Sequence, residues 1–270
     1  MKILAIETAT SWQSVAILED DAVLARRDQD AGGAHGLLLL PSIDRMLAEA
    51  GLELGSLDGL ACSIGPGSFT GIRVGVATCL GLRAATGLPL ALVPTLEAMA
   101  WGVKSAMIPI CPVLTSRRGE LYWAIFRRSV EGGLNCILPE HVGPPNLLAK
   151  SLAEHVLVFG DGWVSMESEI RAALPSSATV SLESQETAKP SAVNVAILGM
   201  HRFRRGDIAG DCVAPRYVQR TEAELKYEQS GGLSATARRQ ERVAVAASKQ
   251  SARGRERKGQ GSRPGRPHGS

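Results

Sequence analysis

The chain has 270 residues, 44% of them hydrophobic and only 4% aromatic, with five cysteines and a formal net charge of +3. That is ample material for a buried core in one large domain or two moderate ones. No uninterrupted apolar run approaches the ~20 residues that a membrane-spanning helix needs. The charge averages two unlike regions. From Gln229 onward there are ten Lys/Arg against two Asp/Glu, whereas residues 1–228 hold twenty basic and twenty-five acidic side chains. A region at −5 does not read as a nucleic-acid-binding domain. The cysteines are scattered, odd in number and form no C-x-x-C pair, which predicts reduced thiols in a soluble cytoplasmic protein.

In chain order, Lys2 to Ile6 and Trp12 to Leu18 read as strands joined by the polar turn Thr8 to Ser11, and Asp20-Asp21 leads into a third strand, Ala22 to Arg26. From His35 to Ala50 the period changes: Leu39, Ile43, Met46, Leu47 and Ala50 fall on one helical face. Leu37, Leu38 and Leu40 make that helix apolar on further sides, which requires the core or a partner to cover it. Leu60 to Ile64 reads as a strand, Ile72 to Ala85 as a helix, and Leu90 to Val93 as a strand. This order is that of the first half of an actin-like (sugar kinase and Hsp70) ATPase domain, with parallel pairing and right-handed crossovers in its alternating part.

The second half predicts strands near Ile108 to Leu114, Leu121 to Arg127 and Leu134 to Leu138. A helix around Asn146 to His155, a strand Val156 to Phe159 and a helix around Ala192 to Arg205 follow. The expected architecture is α/β: an actin-like lobe over 1–104, a second over 105–228, each a mixed sheet flanked by helices, and a disordered basic tail over 229–270. The tail has too little apolar content to offset its chain entropy.

The most informative stretch is Gly65-Pro66-Gly67-Ser68-Phe69-Thr70-Gly71-Ile72-Arg73-Val74-Gly75, a glycine-rich turn between a strand and a helix. Its glycines permit left-handed backbone, and its N–H groups suit either an anion or close backbone contact. It is not a P-loop, because no Lys-Ser/Thr pair follows the last glycine of the turn.

This stretch, with Ile6-Glu7-Thr8-Ala9-Thr10, resembles the TsaB (YeaZ) family, the accessory subunit of the bacterial machinery that makes threonylcarbamoyladenosine at position 37 of tRNA. Pro94-Thr95-Leu96-Glu97-Ala98, Arg117-Arg118-Gly119-Glu120-Leu121-Tyr122-Trp123-Ala124, Gly160-Asp161-Gly162-Trp163 and Pro215-Arg216-Tyr217-Val218 continue the resemblance in the family's order. It implies partnership with the transferase TsaD, with the small ATPase TsaE, and with tRNA through the complex, or pairing with a second copy of itself. It implies no cofactor required by this chain alone, with ATP or ADP and magnesium a matter for the assembled complex. The alternative on the same fold is an independent nucleotide-dependent kinase or hydrolase; a metalloprotease is a weaker third.

Candidate nucleotide contacts are Glu7, Thr8 and Thr10 at the first turn and Gly65 and Gly67 at the second, Glu7 standing where the family usually has Asp. Turn hydroxyls serve equally well to satisfy nearby backbone. Where TsaD carries a metal-binding His-x-Glu-x-His, this chain has Thr95-Leu96-Glu97-Ala98-Met99, which predicts a helix N-cap at Thr95 and a core filler at Met99. No catalytic residue and no metal ligand is assigned.

Gly71, Gly75 and Cys79 put small side chains on one helix face, for close approach of a partner helix or of the protein's own sheet. The resemblance favours a partner interface comprising His35, Leu38, Leu39, Gly71, Ile72, Gly75 and Cys79. The family's usual Asp-Ala is replaced by Thr115-Ser116, which removes one candidate acid. The basic tail resembles nothing in the family; it could touch tRNA phosphates or be a solvated extension.

Overall fold

The structure, a computed structural model, describes residues 1–214 apart from 105–106, 118, 153–154, 183–188 and 211–212. The chain divides into Met1–Val218 and Gln219–Ser270. Arg118, the Pro215-to-Val218 motif and the basic tail lie outside the described residues.

β1 (Lys2–Glu7), β2 (Trp12–Glu19) and β3 (Ala22–Asp30) form an antiparallel meander. β4 (Gly59–Ser63) and β5 (Leu90–Val93) add in parallel, giving the order β3-β2-β1-β4-β5. β1 sits at the centre, buried on both faces, which is why it is apolar without alternation. Leu4 and Ile6 face α1 (His35–Ala50) and α2 (Phe69–Thr86), while Ile3 and Ala5 face the opposite side.

The second half repeats this plan. β6 (Ile110–Thr115), β7 (Leu121–Arg128) and β8 (Leu134–Gly143) are antiparallel, and β9 (His155–Phe159) and β10 (Thr179–Leu182) extend the sheet in parallel on the other side of β6. The order is β10-β9-β6-β7-β8, with α4 (Pro145–Ser151) and α5 (Asp161–Ala172) over one face. Two lobes of identical element order make the actin-like fold expected from the sequence.

The last helix of each half covers the other half's sheet. α3 (Thr95–Gly102) sets Leu96, Met99 and Ala100 against Ile110, Leu114 and Tyr122 of the second sheet. α6 (Ala192–Arg204) sets Val195, Ala196 and Leu198 against the free face of the first. Residues beyond 105 therefore do not all belong to the second lobe: the apolar face of α6 is buried only by returning. Each large aliphatic side chain so buried contributes about 1.5–3 kcal/mol. Gly199 makes the approach possible, since a Cβ there would lie 2.7 Å from that of Ala61.

Several boundaries differ from expectation. β3 runs on to Asp30 through polar residues because it is an edge strand with one exposed side. β8 passes Pro139 for the same reason, an edge tolerating a missing N–H. α4 ends at Ser151, and His155 opens β9 rather than closing the helix. Thr95 is not an N-cap: Pro94 holds that position, and the Thr95 hydroxyl caps nothing. Met99 is a core filler, fully buried. Among the described residues no helix is long and apolar enough to cross a membrane.

Candidate functional site

Two turns meet at the carboxyl ends of the first sheet's parallel strands, the usual ligand-binding edge of an open α/β sheet: residues 8–11 after β1 and residues 64–68 after β4. The Thr8 hydroxyl donates to the Gly71 carbonyl (2.8 Å), and the Ser68 N–H donates to the Ala9 carbonyl (2.6 Å). Ser68 also caps α2, its hydroxyl accepting from the Gly71 N–H at 3.2 Å. A Cβ on Gly67 would overlap the Ala9 carbonyl, one on Gly71 the Thr8 carbonyl, and one on Gly75 the Thr8 hydroxyl. Gly65, at φ +102°, accepts from the Thr95 N–H (2.8 Å). The glycines let the turn and the first two turns of α2 lie directly on the end of β1.

Glu7, the last residue of β1, is fully buried. One carboxyl oxygen accepts from the Ala9 N–H at 2.6 Å; the other has no partner. Burial pushes its pKa from 4.5 up to about 7, against the lowering effect of hydrogen bonding by Ala9, Ser63 and Thr8. Ile6 pairs with Cys62, so Glu7 and Ser63 are neighbours on the opposite face of the sheet. The Ser63 hydroxyl is close enough to affect Glu7 yet makes no well-formed hydrogen bond, and the buried Thr95 hydroxyl is also unpartnered.

Glu7 and Thr8 offer no open side-chain ligand to a magnesium-bound phosphate in this arrangement, and Gly65 and Gly67 enter the second turn through their backbone. The carboxyl is inside, the Thr8 hydroxyl is engaged with Gly71, and the Ser68 N–H is taken by Ala9. The half-buried Thr10 accepts from the Trp12 N–H (3.1 Å). Among the described residues no three His, Cys, Asp or Glu side chains are grouped to hold a metal ion.

The expected interface set divides. His35 is buried, its Nε2 at 2.8 Å from the Thr10 carbonyl, so the ring carries its proton there and ties α1 to the first turn. Leu39, Ile72 and Cys79 belong to the protein's own core, and Gly71 and Gly75 face β1. Cys79 meets Cys62, and that contact, then burial, pushes the Cys62 thiol up. These six cannot form an outward surface; close approach to the chain's own sheet explains the small residues. Leu38 is half-buried. The outward residues of the same helices are different ones: Leu37 is 79% exposed, Leu40 56% and Phe69 40%, with the Arg73 guanidinium 3.6 Å over the Phe69 ring.

The second lobe repeats the device. At the start of α5, Gly160 would overlap the Val113 carbonyl if it carried a Cβ, and one on Gly162 would lie 2.6 Å from the Leu114 carbonyl carbon. Thr115 meets an acid in space: its hydroxyl donates to the Asp161 carboxylate (2.5 Å), as does its N–H (3.2 Å). No local pattern signals this pair, whose members stand 46 positions apart.

The sequence model of the family described as TsaD, tRNA N6-adenosine threonylcarbamoyltransferase, matches residues 29–227. The chain is 30% identical over 232 residues to an Escherichia coli protein named tRNA threonylcarbamoyladenosine biosynthesis protein TsaB, covering 84% of this chain and 98% of that one. The Bacillus subtilis protein of the same name is 26% identical over 237 residues, covering 85% and 99%. A solved structure of YeaZ from Pseudomonas aeruginosa matches with a TM-score of 0.68 at 26% identity, over 80% of this chain and 99% of that one.

Proposed function

The chain belongs to the TsaB (YeaZ) family, and on that premise we propose that it is a non-catalytic subunit of the assembly that makes threonylcarbamoyladenosine at position 37 of tRNA. Its part is to bind and support a TsaD-type transferase, with TsaE joining and tRNA reached through the complex. The observation that carries this reading is the pair Thr95 and Met99. They stand where the transferase's two metal-binding histidines are expected, and both are fully buried, Met99 within the apolar core between α3 and the second sheet. A kinase or hydrolase acting through Glu7 would need that carboxylate open to solvent, and it is fully buried.

The surface that suits a partner is the outward side of α1 and α2, which pack against each other and expose Leu37, Leu40 and Phe69. Such a patch suits a transferase subunit or, in its absence, a second copy of the chain. The test is size-exclusion chromatography of the purified chain with TsaD from the same source, followed by modification assays. We expect co-elution, and modification only when TsaD, TsaE and a threonylcarbamoyl-adenylate supply are all present. Modification of tRNA by this chain with the adenylate alone would overturn the proposal.

A further inference from the structure

Within a region that is acidic overall, four basic side chains from three places in the chain gather around one aromatic pair. Trp101, near the end of α3, meets His201 of α6 edge-to-face at 5.1 Å between ring centroids. The Lys104 ammonium lies 5.0 Å from the Trp101 ring and the Arg128 guanidinium, at the end of β7, 5.2 Å from it. Arg204 and Arg205 complete the group where α6 ends. Burial first, then the charges of Arg204, Arg205 and Lys104, hold His201 below its ordinary range, with Asp21 acting in the opposite direction. Burial and Arg128 likewise lower Lys104. These side chains are thus close enough to repel one another.

Little within the protein answers that charge. Arg128 donates to the carbonyls of Val103 and Trp101 (2.6 Å each), which caps α3 but neutralises nothing. Of the two carboxylates facing the group, Asp20 lies 3.0 Å from the Met1 amino group and 3.8 Å from Arg204, which leaves Asp21. Arg202 is occupied by Glu97 at 2.8 Å and Asp207 at 3.6 Å. Among the described residues Lys104, Arg128 and Arg205 form no ion pair. Crowded like charges weaken a fold, and an external anion is what relieves them. Lys104, Arg204 and Arg205 are exposed, and arginine forks match phosphate oxygens. Trp101 is itself buried, so it braces the cations rather than stacking on a base.

We propose that Lys104, Arg128, His201, Arg204 and Arg205 form a contact surface for the phosphate backbone of tRNA, independent of its sequence. The proposal rests on the reading of this chain as part of a tRNA-modifying assembly, since that reading supplies the RNA.

The test compares the full chain with Lys104→Ala/Arg204→Ala/Arg205→Ala, which spares the cap at Arg128. A milder variant, Arg204→Ser/Arg205→Ser, serves if the triple variant misfolds. Affinity for unmodified tRNA is measured over a salt series, for each chain alone and mixed with TsaD and TsaE. All versions carry the same basic tail, so its contribution cancels in the comparison. The expected result is weaker binding at low salt and a log–log slope shallower by about 0.7–0.9 for each phosphate that is no longer neutralised. Unchanged affinity and slope in a folded variant would overturn the proposal, as would absence of tRNA binding by the unaltered protein in either setting. So would dependence on these residues for binding poly-glutamate or anionic lipid vesicles but not tRNA. Co-elution with TsaD is scored separately: its failure in the unaltered protein counts against the functional reading, whereas tRNA binding by the chain alone that the substitutions weaken, with a shallower salt slope, still supports the patch.

Discussion

Replacing Glu7 with Gln removes a titrating group from the centre of the first lobe while keeping its shape. The amide oxygen can still accept from the Ala9 N–H, and the amide nitrogen can donate to the unpartnered Ser63 hydroxyl. In the folded protein the Glu7 pKa is about 7, against 4.5 for the unperturbed group. The folded state therefore holds this proton more tightly than the unfolded chain does. The stability it contributes is fully present below about pH 4.5 and falls as pH rises to about 7. Beyond that the penalty is constant, at about 3 kcal/mol for a shift of this size.

The Gln variant carries no such penalty. It should match the parent near pH 4 and exceed it by about 3 kcal/mol near pH 8, or roughly 6–12 °C in Tm for a chain of this length. Urea unfolding of both proteins across this range measures the difference directly, and other titrating groups cancel in the subtraction. A difference that stays flat with pH, or a variant that loses ground as pH rises, would refute the picture of a buried carboxyl lacking a full set of partners.

Gly75→Ala should destabilise the protein by about 1–3 kcal/mol, because its Cβ overlaps the Thr8 hydroxyl beneath α2; urea midpoints check this. Leu37→Asp/Leu40→Asp, on the outward side of α1, should change stability by no more than about 0.5 kcal/mol per site yet abolish co-elution with TsaD. Retained co-elution would remove α1 from the interface. Arg202→Ala should cost about 1 kcal/mol, since its half-buried pair with Glu97 at 2.8 Å ties α6 to α3. A double-mutant cycle with Glu97→Ala measures how much of that cost belongs to the pair.

Most of the fold was legible because its strands and longer helices carry strong periods and its turns strong punctuation. What escaped was set by position in the finished sheet. Pro139 ends a strand on local grounds, but β8 is an edge, where a missing N–H costs nothing, so the strand continues to Gly143. α5 has a polar outer face and non-helical backbone at Met166, which blurs its period, and β10 has only four residues. That α3 and α6 exchange sheets is not encoded in either helix alone. Each shows only an apolar face, and which sheet is left uncovered emerges from the whole fold.

The site was harder to read for a related reason. Small residues four apart state that something comes close, and nothing about what it is. At Gly71 and Gly75 the close neighbour is Thr8, separated by more than sixty positions and invisible to any local pattern. The second lobe repeats the arrangement. Gly160 and Gly162 carry α5 onto the end of β6 as Gly71 and Gly75 carry α2 onto the end of β1, and a threonine sits at each strand end: Thr8 bonds to the helix backbone, Thr115 to the side chain of the helix's first residue, Asp161. A joint between a strand and the helix riding on it recurs wherever the architecture is repeated. The glycine-rich turn thus brings helix onto strand end in both lobes. The exposed apolar side chains of these helices are different ones: Phe69, and Leu37 and Leu40, which sequence periodicity shows only as surplus apolar residues.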